Sequence, residues 1–91
     1  MPPQRLPTLP LTIRVKLFAA MRQRLGRDEV DVEVPAPADV GALRAALAAQ
    51  FPHLSDLLSH SLFAVGMEYA ADSTRLEPNL DVACIPPVSG G

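Results

Sequence analysis

Two short stretches alternate strictly between apolar and polar residues, and they constrain most tightly what this chain can fold into. In the first, Leu11, Ile13, Val15 and Leu17 alternate with Thr12, Arg14 and Lys16, and the run closes at Phe18. In the second, Val30, Val32 and Val34 alternate with Asp31 and Glu33 until Pro35 ends it. A period of two sends one set of side chains to each face, so both stretches are half-buried strands. Between them Ala19 to Leu25 reads as a short helix, with Met21 and Leu25 four apart and Gly26 as its stop. Strands joined by so compact a link pair antiparallel.

The remaining text supplies one long helix and three further extended segments. Asp39 follows a proline-rich turn and precedes Val40, Leu43 and Leu47, which predicts an N-cap and an amphipathic helix from Val40 to Phe51. Gly41 weakens its first turn slightly, and Pro52 ends it. Leu54, Leu57 and Leu58 suggest one more helical turn, and Leu62-Phe63-Ala64-Val65 reads as a buried strand. Glu68-Tyr69-Ala70 leads into a turn at Asp72-Ser73, Arg75-Leu76 is short and extended, and Pro78-Asn79 turns the chain again. Asp81 to Ile85 forms the last strand.

One main helix packed on one face of a mixed sheet is an α+β arrangement. The element order resembles that of ubiquitin-like β-grasp folds, in which the first and last strands lie side by side at the centre of the sheet. The expected organisation is a disordered proline-rich leader over residues 1–10, a β-grasp domain over 11–85 and a flexible, extended Gly-Gly tail over 86–91.

Charge and composition exclude several function classes. A net charge of −2 argues against a nucleic-acid-binding domain, which carries clustered Lys and Arg. No stretch approaches the roughly 20 apolar residues of a membrane helix, and the first ten residues lack the apolar run of a secretory signal. A single cysteine forms no internal disulfide, which points to the cytoplasm.

The chemistry concentrates at the C-terminal end. Gly90 and Gly91 follow Cys84-Ile85-Pro86-Pro87-Val88-Ser89, a stretch without a charged side chain. Glycine has no Cβ, so this end can thread a narrow channel, and only its carboxylate resists desolvation. Pro86 and Pro87 hold the exit from the last strand extended, and the six residues from Pro86 span up to about 20 Å. Val88 and Ser89 read as spacers, with Val88 also a candidate apolar anchor in a partner's groove.

A carboxylate is a poor electrophile and needs activation, typically as an acyl-adenylate. The chain has no phosphate-binding glycine loop. No bound cofactor is therefore expected, and ATP would be used by a separate activating enzyme. No other site assembles from the remaining residues. Cys84 reads as a packing residue, and His53 and His60 lack metal-ligand spacing. Arg22, Arg24 and Arg27 form either an exposed helix face or a docking patch for an acidic partner.

Four segments carry a resemblance to a known family: Leu17-Phe18-Ala19-Ala20-Met21-Arg22, Asp39-Val40-Gly41-Ala42-Leu43-Arg44, Ala64-Val65, and Ile85-Pro86-Pro87-Val88-Ser89-Gly90-Gly91. In order and spacing they resemble the small subunits of molybdopterin synthase, and Pro-Pro-Val-Ser-Gly-Gly is the most specific element. The resemblance implies a sulfur carrier of molybdenum cofactor biosynthesis, not catalytic alone. Gly91 would be adenylated by an ATP-dependent enzyme of the ubiquitin-activating type and converted to a thiocarboxylate. The tail, Pro86 to Gly90, would then enter the large synthase subunit and deliver sulfur to cyclic pyranopterin monophosphate. Family synthases are heterotetramers whose catalytic groups, an essential lysine among them, lie on the large subunit.

The Phe18-Ala19-x-x-Arg22 pattern makes Phe18 and Arg22 candidate docking residues. The chain departs from the family at Gly66, where Asn is common, and at Asn79-Leu80-Asp81-Val82, where Gly-Asp-Glu-Val is common. Leu80 is expected to be exposed. Three alternatives stand beside this reading: a ubiquitin-like modifier conjugated through Gly91, a sulfur carrier for another pathway such as thiazole synthesis, and an interaction module with an inert end.

Overall fold

A computed structural model describes residues 10–78 and 80–87 of the chain. Most of the expected leader, Asn79 and the last four residues of the expected tail lie outside the described residues. The two alternating stretches form β1 (Leu11–Leu17) and β2 (Glu29–Val34), paired antiparallel with Ile13 opposite Val32 and Val15 opposite Val30. Ile13, Val15, Leu17, Val30, Val32 and Val34 are buried, while Thr12, Arg14, Lys16, Asp31 and Glu33 are exposed. Between the strands lies α1 (Ala19–Leu25), whose Met21 is buried. Gly26 ends it in the left-handed region at φ 67°, its N–H donating to the Arg22 carbonyl at 2.8 Å.

The long helix is α2 (Val40–Gln50). Asp39 caps it, its Oδ1 accepting the Ala42 N–H at 2.8 Å. Val40, Leu43 and Leu47 fill the core from one face of the helix. Gly41, which costs helix propensity, sits where the segment around Asp72 comes close: its N–H donates to the Asp72 carbonyl at 2.9 Å, and an added Cβ would lie 3.4 Å from that oxygen. A short 3-10 turn (Pro52–Leu54) and α3 (Ser55–Ser59) follow, burying Leu54 and Leu58.

The main sheet is completed by β4 (Leu62–Val65), β5 (Glu68–Ala70) and β7 (Val82–Ile85). Its order is β2-β1-β7-β4-β5, with β1 and β7 parallel and every other pair antiparallel. The first and last strands are therefore neighbours at the centre, as the β-grasp resemblance implies. A second, two-stranded sheet pairs β3 (Ala38–Asp39) with β6 (Arg75–Leu76).

Several expectations need correction. β3 is a strand that the sequence reading lacks, because two residues after a proline-rich turn carry no periodicity and Asp39 already reads as a cap. Glu68 to Ala70 is a true edge strand, but Glu68 and Tyr69 are exposed and so lack an alternating apolar face. Leu62 to Val65 is not buried throughout: Phe63 is buried, whereas Leu62 is 55% exposed. Leu80, expected on the surface, is half-buried and packs against the core.

Arg44 of α2 ties three segments together. Its Nη1 donates to the Leu58 carbonyl at 2.5 Å and the Ser61 carbonyl at 2.7 Å, and its Nη2 to Asp72 Oδ1 at 2.8 Å. The guanidinium carbon also lies 4.9 Å from the centre of the Phe63 ring. By contrast Arg14 pairs with Asp31 at 3.0 Å between two exposed side chains on the outer face of the sheet, where ion pairs contribute little. Replacing Arg44 by methionine is expected to reduce unfolding free energy by about 2 kcal/mol, since hydrogen bonds from a charged donor are lost. The same change at Arg14 should leave the urea midpoint nearly unchanged, and urea denaturation followed by circular dichroism compares the two.

Candidate functional site: the tail exit and the outer sheet face

β7 runs into the tail, so its surroundings decide how the tail is presented. It is paired on both sides, with Lys16 beside Ala83 on β1, and Ala64 opposite Ala83 and Leu62 opposite Ile85 on β4. The period of two sends Val82 and Cys84 into the core and leaves Ala83 and Ile85 half-buried on the outer face. Pro86 is buried and Pro87 exposed, so Pro87 is the first fully exposed side chain after β7. Val88, Ser89, Gly90 and Gly91, the rest of the predicted site, lie outside the described residues.

The outer face has two unlike halves. Over β2 and β1 it carries Glu29, Asp31, Glu33, Thr12, Arg14 and Lys16. Over β7, β4 and β5 it carries Ala83, Ile85, Leu62, Ala64 and Tyr69, with Phe18 at its margin. Phe18 is 44% exposed, Tyr69 73% and Met67 94%. A groove of about 270 Å³ crosses this apolar half, lined by Lys16, Phe18, Ala64, Met67, Asp81, Val82 and Ala83. Contiguous exposed apolar surface marks an interaction site, and this one adjoins the start of the tail.

The two candidate docking residues lie at opposite ends of the short α1, Phe18 before its first turn and Arg22 in its last. Phe18 is its extended N-cap residue and lines the groove. Arg22 is exposed and engaged with Asp28, Nε to Oδ1 at 3.4 Å. Arg24 and Arg27 are exposed beside it. Leu62, Tyr69 and Met67 were missed as surface residues because a continuous apolar run reads as buried on both faces, and an isolated Tyr or Met carries no period. His53 packs edge-on against Phe51, and His60 Nδ1 lies 3.0 Å from the Asp56 carbonyl oxygen. No cluster of metal-ligating side chains occurs among the described residues. No helix among them is long and apolar enough to cross a membrane.

Residues 15–91 match the ThiS family, from within β1 through the Gly-Gly end. This chain belongs to the ThiS family. It is 36% identical over 83 residues to a molybdopterin synthase sulfur carrier subunit from Caenorhabditis briggsae, covering 89% of this chain and 99% of that one. Among solved structures it resembles SAMP1, a small archaeal modifier protein of Haloferax volcanii, with TM-score 0.75 and 31% identity over 88% of this chain and 99% of that one. The fold is also that of a chain in a Helicobacter pylori complex of subunits 1 and 2 of molybdopterin-converting factor. That likeness has TM-score 0.61 and 20% identity, covering 89% of this chain and all of that one.

In this ThiS-family domain Cys84 lies close to the tail but is withdrawn from solvent. Burial pushes its thiol from 9.0 up to about 11, outweighing the opposing effects of Ser61 and Arg44. The folded protein at pH 8 is therefore expected to resist Ellman's reagent, and the urea-unfolded protein to react fully. The unfolded chain ionises first, so the contribution of Cys84 to stability is complete below about pH 9 and is lost between about 9 and 11. Replacing Cys84 by alanine should remove that part of the alkaline decline.

Proposed function

We propose that this chain is the sulfur carrier of molybdopterin synthesis, with the Gly91 carboxylate as the group that carries sulfur. The observation that supports it most is the join between a doubly paired central strand and a bare apolar half-face. The domain can seat on a partner through that face while Pro87 directs the tail into the partner's cleft. The identity shared with the molybdopterin synthase sulfur carrier subunit spans nearly the whole of both chains and gives the cargo.

In this reading an ATP-dependent adenylating enzyme joins the Gly91 carboxylate to AMP with release of pyrophosphate. A sulfur nucleophile then displaces AMP and leaves a thiocarboxylate. The large subunit of the synthase receives the tail, and its groups catalyse sulfur transfer to cyclic pyranopterin monophosphate. Phe18, Leu62, Tyr69 and Ile85 supply the docking surface, and Arg22 stands at its margin. Val88 to Gly90 lack charge and so cost little to desolvate inside the cleft.

The likeness to SAMP1 favours one second reading, in which Gly91 forms isopeptides with lysines of other proteins. Reconstitution separates the two. With the large subunit, the adenylating enzyme, ATP, a sulfur donor and the pterin precursor, the wild-type chain should yield molybdopterin, and deletion of Gly91 should abolish it. Tyr69→Asp should cut the yield at limiting large subunit by about tenfold or more, as for a desolvated interface residue. Undiminished yield after Gly91 deletion would contradict the carrier reading, and lysine adducts of the tail in place of molybdopterin would favour the modifier.

A further inference from the structure

Two non-glycine residues among the described ones adopt a positive φ, Ala19 at 50° and Met67 at 72°. Met67 lines the groove described above, and Ala19 is next in sequence to Phe18, which also lines it. A residue with a Cβ is strained in the left-handed region, which glycine enters freely. Such strain persists where something else compensates for it.

The β4–β5 hairpin, closed by Val65 opposite Glu68, fixes the backbone at Met67, but nothing within the folded domain calls for a methionine side chain there. The side chain is 94% exposed and so contributes almost no burial. The hairpin turn needs a positive φ at both Gly66 and its successor, and asparagine or glycine would satisfy it with less strain. The turn is already fixed by the Gly66 N–H donating to the Asp81 carbonyl at 2.9 Å. What this position holds in place is therefore the thioether itself, an adaptable apolar group of the kind used at binding surfaces.

The register locates Met67 relative to the tail. Val65 lies opposite Val82 and Leu62 opposite Ile85, so the Gly66-Met67 turn stands at the end of β7 away from the tail exit. Three residues of strand separate the two ends, about 10 Å. A protein that grips the tail and also meets Met67 must span the whole apolar half-face, and its orientation is then set at two points.

We propose that Met67 is a distal anchor that sets how the large synthase subunit seats on this chain, entering an apolar socket ringed by polar groups that face Lys16, Glu68 and Asp81. This inference rests on the carrier reading above. Isothermal titration of the large subunit with the full chain tests it, using Met67→Asn, which keeps the turn, and Met67→Leu, which keeps the apolar bulk. Met67→Asn should weaken binding by about tenfold while leaving thermal stability equal or higher, and saturating large subunit should restore the full transfer rate. Met67→Leu should bind within a few-fold of wild type. Equal binding by wild type and Met67→Asn would overturn the anchor and leave the carrier reading intact. A wild-type chain that fails to bind the large subunit at all would overturn both. A loss confined to the adenylating enzyme would overturn the choice of the large subunit as occupant.

Discussion

β1 and β7 lie parallel at the centre of the sheet, and the rest of the domain depends on that pairing. It joins segments from opposite ends of the domain, with Val15 beside Val82 and Leu17 beside Cys84. Closing so long a loop costs conformational entropy. Burial of Val15, Leu17, Val82 and Cys84 under α2 and its neighbours offsets that cost. Once β7 is inserted it has partners on both sides, so its ladder groups are satisfied and its direction is fixed. The tail that follows begins from a strand held on both sides.

The same pairing divides the outer face. On its β2 side the strands alternate apolar with charged residues, and that edge carries Glu29, Asp31 and Glu33, which discourage pairing with another sheet. On its β4 side the residues that face outward are Leu62, Ala64 and Tyr69. A free monomer gains nothing from exposing them. Their position beside the tail exit gives the exposure a use, because a partner that covers them also receives the chain end. Arg44 supports this half from beneath, holding the end of α3 and the start of β4 to α2.

The core strands and the long helix were legible because each rests on local chemistry. Ile13 and Val32 announce their faces by alternation, Asp39 by its capping oxygen and Gly26 by the conformation that only it tolerates easily. The mixed topology was reached through resemblance, since alternation says which face is buried but not which strand is the neighbour. What stayed hidden depends on distant partners. The pairing of Ala38 with Leu76 has no local signature, Leu62 looks as buried as Phe63, and the value of Gly41 is visible only when Asp72 lies against it. Of the apolar half-face only Phe18 was singled out from the sequence, because its other members come together from three separate strands.

The proposed carrier role requires the domain to present one carboxylate, that of Gly91, for sulfur loading. Intact-mass spectrometry of the purified chain, incubated with the adenylating enzyme, ATP and a sulfur donor, tests it most directly. Replacement of one oxygen by sulfur is expected, located by fragmentation at Gly91 and dependent on ATP. An unchanged mass in the presence of an adenylating enzyme that loads a related carrier would contradict it.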